Sequence, residues 1–450
     1  MGSVAMALET VFLSTICYRK HSGLLPQSNG QPEPQGSTKT EQGMTNHSHQ
    51  GSLKRTISLP LLTFYGLGNI LGAGIYVLMG KVVGAAGYFA PLAFFLASLV
   101  ATFTALSYAE FASRHPHSAG EAVYLYEGFQ WRFLSVLVGL LIALAGMVSA
   151  ATMAKGFAGY FQLFFDLSPG LIMPGLLLLL GGIALWSIRE SVRLIAVITL
   201  LEAGGLVLLL WVSRGSLSTL PENLPKLLSL SQGENWQGII AGAFLAFYAY
   251  IGFEDMVNVA EEVKQAPRNL PLGIFFALIA STILYASVAL VAVLSIEPAV
   301  LGQSDAPLAL LYTSATGASP TIISLIGMVA VINGALIQLI MASRILYGMS
   351  RQGWLPVFLG YIHPQTHTPW PATLLVTGLI ILLALLFPLV TLAAITSGLI
   401  LVVFSLVNLA LWRVKRRTPH PPGARTFPLW VPIAGFCFSL GLLLAQLVSL

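Results

Sequence analysis

Two short segments of unusual composition lie inside apolar stretches that are long enough to cross a membrane. Residues 72–74 read Gly-Ala-Gly, and residues 251–255 read Ile-Gly-Phe-Glu-Asp. Irregular backbone at membrane depth is tolerated only where protein or a water-filled cavity satisfies its polar groups. The freed N–H groups attract a carboxylate and the freed C=O groups attract an ammonium ion. Together the two segments predict a site for a zwitterion, although 72–74 alone also fits a close helix–helix contact.

Glu202 is an isolated carboxylate in a third apolar stretch, and no basic residue lies within about one turn of it along the helix. Burial favours the neutral, protonated form of a carboxyl group. An ionisable residue inside a membrane span is a candidate functional group. We therefore expect Glu202 to bind and release a proton, and so to couple proton movement to transport across the membrane. The alternative is a protonated acid that bonds a neighbouring carbonyl and has no role in transport.

The other charges inside the spans have simpler explanations. Glu254 and Asp255 could cap the second half of a broken helix and complement its dipole. Lys155 fits a structural lysine whose stem lies along apolar surface. Glu110 lies one helical turn before Arg114, so an ion pair between them is expected.

The composition excludes a soluble protein of this size. Only 9% of the 450 residues are charged and 56% are hydrophobic, whereas soluble domains are roughly a quarter charged. The bilayer is therefore the expected solvent, and the net charge of +5 reflects membrane topology rather than nucleic-acid binding. Two cysteines and scattered histidines provide neither a disulfide framework nor a metal site.

Apolar runs of about 20 residues predict eleven spanning helices. They lie near residues 60–82, 88–112, 131–163, 170–188, 192–213, 237–262, 271–295, 320–348, 371–388, 391–413 and 428–448.

The distribution of basic residues predicts the orientation. With a cytoplasmic N-terminus, only four of the 22 Lys and Arg residues fall outside the inner side: Lys81, Arg214 and Lys226 in outer loops, and Lys155 within a span. Because positive charge is concentrated in cytoplasmic loops, we expect the N-terminus to lie in the cytoplasm. The expected location is the cell membrane, of the bacterial inner-membrane type.

The chain divides into three predicted regions. Residues 1–52 are a polar, disordered cytoplasmic tail, with Met44 as a second candidate start. Residues 53–413 form a ten-helix core, with repeats at about 60–213 and 237–413. Residues 414–450 form a loop and an eleventh helix.

Four sets of motifs, in this order, resemble those of the amino acid–polyamine–organocation (APC) superfamily of transporters. They are 69–76 (Asn-Ile-Leu-Gly-Ala-Gly-Ile-Tyr), 108–111 with 118–124, 251–255 with 260–264 and 267–271, and 350–356 (Ser-Arg-Gln-Gly-Trp-Leu-Pro). The likeness runs from about Leu59 to Arg413. It implies an all-α integral membrane protein with a 5+5 inverted-repeat, leucine-transporter-like fold, comprising ten core helices and one extra C-terminal helix.

The resemblance also implies which residues bind substrate. The N–H groups of Gly72, Ala73, Gly74 and Ile75 would hold the carboxylate of an amino acid. The carbonyls of Tyr248, Ala249 and Ile251 would hold its amine. Relatives often carry Ser where this chain has Ala73, so one hydroxyl contact is missing.

Further roles follow from the same resemblance. Gln338 falls where relatives place a substrate contact, although an interhelical hydrogen bond explains it equally well. The resemblance makes Glu254 a gate or a contact for the substrate side chain. Apart from the resemblance, Tyr250 could form an aromatic lid, although ordinary packing against neighbouring helices also explains it. Glu202 falls where some proton-coupled relatives place a lysine, so the coupling mechanism departs from theirs.

The sequence therefore predicts a secondary amino acid transporter that works by alternating access as a proton symporter. An exchanger, a transport-inactive amino acid sensor and a channel-like pore are the alternatives. No nucleotide-binding or hydrolase motif is present, so we expect no enzyme activity, catalytic residue, cofactor or metal. The expected partners are an amino acid, a proton and the lipid bilayer.

Overall fold

A computed structural model describes residues 55, 57–72, 74–115, 120–186, 192–229, 233–351, 353–364 and 368–448. The predicted tail, residues 1–52, and the predicted substrate contact Ala73 lie outside these residues.

The described residues form sixteen α-helices and no β-sheet. In chain order the helices are α1 (Leu59–Leu71), α2 (Gly74–Ala86), α3 (Ala90–Arg114), α4 (Gly120–Phe129), α5 (Arg132–Phe161), α6 (Pro169–Trp186), α7 (Val192–Val212), α8 (Leu220–Leu228), α9 (Gly233–Tyr248), α10 (Ala266–Ser295), α11 (Pro298–Gln303), α12 (Pro307–Thr316), α13 (Thr321–Arg351), α14 (Trp370–Leu386), α15 (Leu389–Arg417) and α16 (Trp430–Val448).

The helices match the predicted spans. Seven helical segments are long and apolar enough to cross a membrane, and four shorter apolar helices accompany them. Two of the short helices, α1 and α9, are halves of spans that break midway. The longest helices, α5, α10 and α13, have 30, 30 and 31 residues, which requires tilt in a bilayer. The protein is therefore an all-α membrane protein, as predicted.

Helices that hold the same place in the two repeats pack against one another. The first span of each repeat is the broken one, and α2 packs on α9. The second, third and fourth spans pair in the same way: α3 with α10, α5 with α13, and α6 with α14. This pairing is the packing of a 5+5 inverted repeat, and it brings the two broken helices together at the centre.

Short helices that the apolar pattern did not predict connect the spans. α4 lies between the second and third spans, α8 precedes the sixth, and α11 and α12 separate the seventh from the eighth. Each has ten residues or fewer, so none could be recognised as a span. α11 packs on α2, which links the outer loops to the first broken span.

The C-terminal helix α16 packs on the core beside a buried polar cluster, where Ser439 Oγ of α16 lies 3.3 Å from Thr104 Oγ1 of α3. The side-chain amide of Asn408 in α15 donates to Thr104 Oγ1 of α3 at 2.9 Å, and Ser107 Oγ donates to Asn408 Oδ1 at 2.6 Å. Gly435 of α16 lies directly over Asn408, where a Cβ atom would overlap the side-chain amide. Small and polar residues thus provide the helix contact, as is usual in membranes.

Candidate functional site

The first span is interrupted at Gly72. α1 ends at Leu71, and Gly72 has φ −12° and ψ −110°, outside the helical region. α2 begins again at Gly74. Gly74 and Ile75 lie at a helix N-terminus, where backbone N–H groups have no acceptor within the helix. The Gly72 N–H is already used, because it donates to the Gly68 carbonyl at 3.0 Å.

The sixth span unwinds after Tyr248. The N–H groups of Ala249, Tyr250 and Ile251 bond the carbonyls three residues earlier, at 3.0, 3.0 and 3.2 Å. Gly252 has φ +126°, a conformation that residues with a Cβ atom rarely adopt. Its N–H donates to Glu254 Oε2 at 2.8 Å. The chain then continues as a 3-10 helix over Glu254–Glu262.

The two breaks contact each other directly. A Cβ atom on Gly252 would lie 2.6 Å from the Asn69 carbonyl oxygen, and one on Gly74 would overlap Ala249. Glycine at both positions therefore permits the close approach of the two backbones. The small-residue contact considered for Gly74 is real and coexists with the break.

Tyr285 of α10 connects the two unwound segments. Its hydroxyl lies 2.7 Å from the Ile70 carbonyl oxygen and 3.0 Å from the Ala249 carbonyl oxygen. A tyrosine hydroxyl has one proton to donate, so the two carbonyls share it. The Ala249 carbonyl, a predicted amine contact, is thus paired in this conformation.

A cavity lies next to the break in the sixth span. About 360 Å³ of space free of atoms lies there, a figure that includes open solvent. Its lining comes from α3, α4, α5, α13, α15 and the sixth span: Tyr108, Glu121, Ile142, Ala145, Gly146, Ser149, Ile251, Glu254, Asp255, Gln338, Met341, Thr396, Ile400, Val403 and Phe404.

The cavity includes part of the predicted site. Ile251, Glu254 and Gln338 line it. The other described members of the predicted site do not belong to its lining: Gly72, Gly74, Ile75, Glu202, Tyr248, Ala249 and Tyr250. They lie in or beside the packed breaks. Their assignments stay predictions.

Three carboxylates meet in this cavity. Glu121, Glu254 and Asp255 are exposed by only 7%, 6% and 8%, and the described lining residues include no Lys, Arg or His. Tyr108 donates its hydroxyl to Glu121 Oε1 at 3.2 Å. Burial raises the pKa of the Glu121 carboxyl, and hydrogen bonds from the backbone and from Tyr108 oppose that rise.

Sequence reasoning did not select Glu121 or Tyr108 as site residues. Both lie in quoted motifs, but Tyr108 is in the second span and Glu121 in the short helix that follows it, and neither is on a broken helix. From the sequence alone, a carboxylate in the first turn of α4 is explained by its favourable interaction with the helix N-terminus. Only the fold shows that this turn faces the cavity.

Glu202 lies level with the break in the first span. One turn earlier on α7, Thr199 packs directly against Gly68 of α1. The Glu202 carbonyl accepts a hydrogen bond from Tyr76 Oη of α2 at 2.7 Å. Both carboxylate oxygens of Glu202 are buried, and neither has a hydrogen-bond partner within the described part of the chain.

The remaining candidates are held by packing or by nearby polar groups. Tyr248 Oη lies 2.8 Å from Ser149 Oγ of α5, and the Tyr250 ring packs edge-on against Tyr285 at 5.3 Å between centroids. Lys155 is half-buried on α5.

The expected ion pair of Glu110 is confirmed. Arg114 Nη2 lies 2.6 Å from Glu110 Oε1, and Lys415 Nζ lies 2.7 Å from Oε2. The lysine was not foreseen, because 305 residues separate it from Glu110 in sequence.

Comparison with known proteins agrees with this architecture. The branched-chain amino acid permease BcaP of Bacillus subtilis is 30% identical, over 85% of this chain and 85% of its own length. The methylthioribose transporter of the same organism is 30% identical, over 88% of this chain and 89% of its own length. Cationic amino acid transporter 3, mitochondrial, of Arabidopsis thaliana is 27% identical, over 83% of this chain and 64% of its own length.

These relatives are permeases and transporters, which are not enzymes. The sequence model of the family described as amino acid permease matches residues 57–449. Because that match covers most of the chain and includes both broken helices, this protein belongs to the amino acid permease family of the APC superfamily.

Proposed function

We propose that this protein is a secondary transporter that carries an amino acid across a cell membrane by alternating access, in symport with protons. The substrate zwitterion binds between the two breaks, next to the cavity. Its carboxylate meets the N–H groups at the start of α2, and its amine meets the carbonyls of the unwound sixth span. Gln338 and Glu254 reach the substrate from the cavity side, and Tyr250 closes over it.

The packed breaks support this proposal. Discontinuous helices at matching places in two repeats are the best pointers to a transporter site. Ile251 belongs both to the break in the sixth span and to the cavity lining. Tyr285 holds the breaks together through Ile70 and Ala249, so substrate entry requires these contacts to rearrange.

The environment of Glu202 is the observation that supports proton coupling. Its carboxyl group is fully buried, its oxygens have no hydrogen-bond partner among the described residues, and its backbone is bonded to the first helix after the break. An ionised carboxylate would be costly there, whereas a neutral acid is tolerated. Gain and loss of the proton would therefore alter the packing of α7 against the break.

Uptake into proteoliposomes tests the proposal. Radiolabelled amino acids are offered with and without an inwardly directed proton gradient, to the wild type, to Glu202→Gln and to the control Glu127→Gln, whose side chain is exposed on α4. We expect the gradient to accelerate uptake by the wild type and by the control. Uptake by Glu202→Gln should lose its dependence on the gradient.

The alternatives predict other results. An exchanger takes up label only when the liposomes contain unlabelled amino acid, whatever the gradient. A sensor binds amino acids without uptake, and a pore gives uptake that does not saturate. Unchanged gradient dependence in Glu202→Gln would reject the role of Glu202 while leaving transport intact.

The proposed orientation places the N-terminus in the cytoplasm. It rests on the concentration of Lys and Arg at one end of the helices. Cysteine accessibility tests it: Ser229→Cys, before the sixth span, should react with an impermeant thiol reagent from outside the cell, and Ser52→Cys should not.

A further inference from the structure

The cavity is strongly anionic for a space inside a membrane protein. The carboxylates of Glu121 and Glu254 both line it, and its described lining residues carry no positive charge. Like charges held together away from water either bind protons or gain a cationic partner. The cargo itself can supply that partner.

Gln338 is an independent sign that a ligand binds here. Its side chain is 9% exposed and lines the same cavity. Gln338 Oε1 lies beside Gly146, where a Cβ atom would be 3.0 Å away. No side-chain hydrogen bond joins Gln338 to another described residue, although buried amides are normally bonded. The unpartnered amide and the carboxylates thus line one space.

We propose that Glu121, together with Glu254, binds the positively charged side-chain group of a cationic amino acid, and that Glu121 determines this specificity. The inference rests on the proposed function, since it names the class of amino acid for the same site. The α-amino and α-carboxylate groups stay at the breaks, and the guanidinium or ammonium group extends into the cavity.

The surroundings of Glu121 suit this role. Glu121 lies in the first turn of α4, where the helix dipole favours a negative charge. The Tyr108 hydroxyl fixes Oε1 at 3.2 Å, and the Tyr108 ring packs at 5.7 Å against Phe253 of the unwound sixth span. Glu121 is thereby held next to the break.

The remaining walls suit the aliphatic part of such a side chain. Ile142, Met341 and Ile400 contribute apolar surface to the lining. A chain of methylene groups that ends in a cation is the ligand that this combination recognises: apolar along its length and charge-complementary at its end.

The names of the relatives do not determine this specificity. The two bacterial relatives are named for branched-chain amino acids and for methylthioribose, and the plant relative for cationic amino acids. The cavity of this chain favours the last class on its own chemistry.

Binding of matched ligands tests the inference. Arginine and citrulline have nearly the same shape, and only arginine carries a side-chain charge at neutral pH. Their affinities, and that of leucine, are measured by isothermal titration on the full chain in lipid nanodiscs. We expect the wild type to bind arginine about tenfold or more tightly than citrulline, the factor expected of one charge-assisted hydrogen bond.

The variant Glu121→Gln should bring the arginine and citrulline affinities to within about twofold of each other, because the neutral amide cannot pair with the guanidinium charge. Glu127→Gln, in the same helix but exposed, should keep the wild-type ratio. If Glu121→Gln does not fold, Tyr108→Phe replaces it: loss of the hydrogen bond to Glu121 should lower the ratio several-fold.

The outcomes separate the inference from the function on which it rests. Equal binding of arginine and citrulline by the wild type, or a ratio unchanged in Glu121→Gln, overturns the inference while amino acid binding survives. Absence of binding for all three ligands overturns the proposed function as well.

Discussion

Tyr285 lies 3.0 Å from the carbonyl oxygen of Ala249, and its single hydroxyl also lies 2.7 Å from the carbonyl oxygen of Ile70. One side chain from α10 therefore satisfies carbonyls from both broken helices. An unpaired carbonyl away from water is costly, so the hydroxyl links the geometry of one break to that of the other. The two repeats cannot separate at this point without losing the shared bond.

Tyr285→Phe removes this link while keeping the ring. We expect the free energy of unfolding to fall by about 1–3 kcal/mol, since the buried carbonyls of Ile70 and Ala249 lose the hydroxyl that donates to them. Thermal unfolding in detergent measures the loss as a lower melting temperature, and proteoliposome uptake measures its effect on transport.

The exposed Tyr361 provides the matched control. Its side chain is 56% exposed, so Tyr361→Phe should leave both the melting temperature and uptake close to those of the wild type. A Tyr285→Phe protein that is as stable as this control would show that the shared hydroxyl contributes nothing to holding the breaks.

Gly252→Ala is expected to abolish transport. The substitution forces a Cβ atom onto a backbone at φ +126° and to 2.6 Å from the Asn69 carbonyl oxygen. The backbone strain alone costs about 1–3 kcal/mol, and relieving the overlap separates the two breaks. Uptake of radiolabelled amino acid should fall at least about tenfold, a barrier change of about 1.4 kcal/mol.

Gly317→Ala separates the effect of the backbone angle from that of the contact. Gly317 also has positive φ, at +67°, but nothing lies within 4 Å of its Cβ position. We expect a modest loss of stability and nearly normal uptake. Equal loss of uptake in the two variants would mean that the contact between Gly252 and Asn69 is unimportant.

The apolar pattern predicted the spans because each must bury about 20 residues in lipid, a demand that local sequence expresses directly. The breaks were also visible, since glycine and carboxylates interrupt otherwise apolar runs at 72–74 and 251–255. The spans and the breaks can be predicted because each is determined by residues within a few helical turns of one another in the sequence.

Features formed between distant elements could not be read from the sequence. Tyr285 is an unremarkable aromatic within an apolar span, and its role depends on the meeting of α10 with both breaks. Glu121 belongs to a short connecting helix, and only packing brings it to the cavity. Lys415 joins Glu110 across 305 residues, a pairing that no local spacing predicts.

Glu110→Gln should destabilise the inner end of the helix bundle. Glu110 is fully buried and pairs with both Arg114 and Lys415, and its Oε2 also accepts the Phe427 N–H at 2.9 Å. Loss of a buried carboxylate leaves two cations without their counter-charge, which costs about 3–5 kcal/mol. We expect a lower melting temperature and faster hydrogen exchange in residues 418–427, the loop that these contacts hold.

The exposed Glu127 again provides the control. Glu127→Gln should alter neither the melting temperature nor exchange in that loop. Fast exchange in residues 418–427 of the wild type itself would contradict the proposed anchoring.

Glu121 should make the stability of the empty protein depend on pH. Burial raises the pKa of its carboxyl in the folded state above the ordinary value of 4.5, which the unfolded chain retains. Well below pH 4.5 both states hold the proton, and Glu121 contributes nothing to the pH dependence. As the pH rises above 4.5 the unfolded chain ionises while the folded chain keeps its proton, so the free energy of unfolding falls until the folded-state pKa is passed. Glu121→Gln removes this pH-dependent contribution to the free energy of unfolding. Melting temperatures measured without substrate should therefore show the variant gaining stability relative to the wild type as the pH rises above 4.5. A variant that instead loses ground as the pH rises would show that the folded protein stabilises the ionised carboxylate, and that burial is not the dominant influence on Glu121.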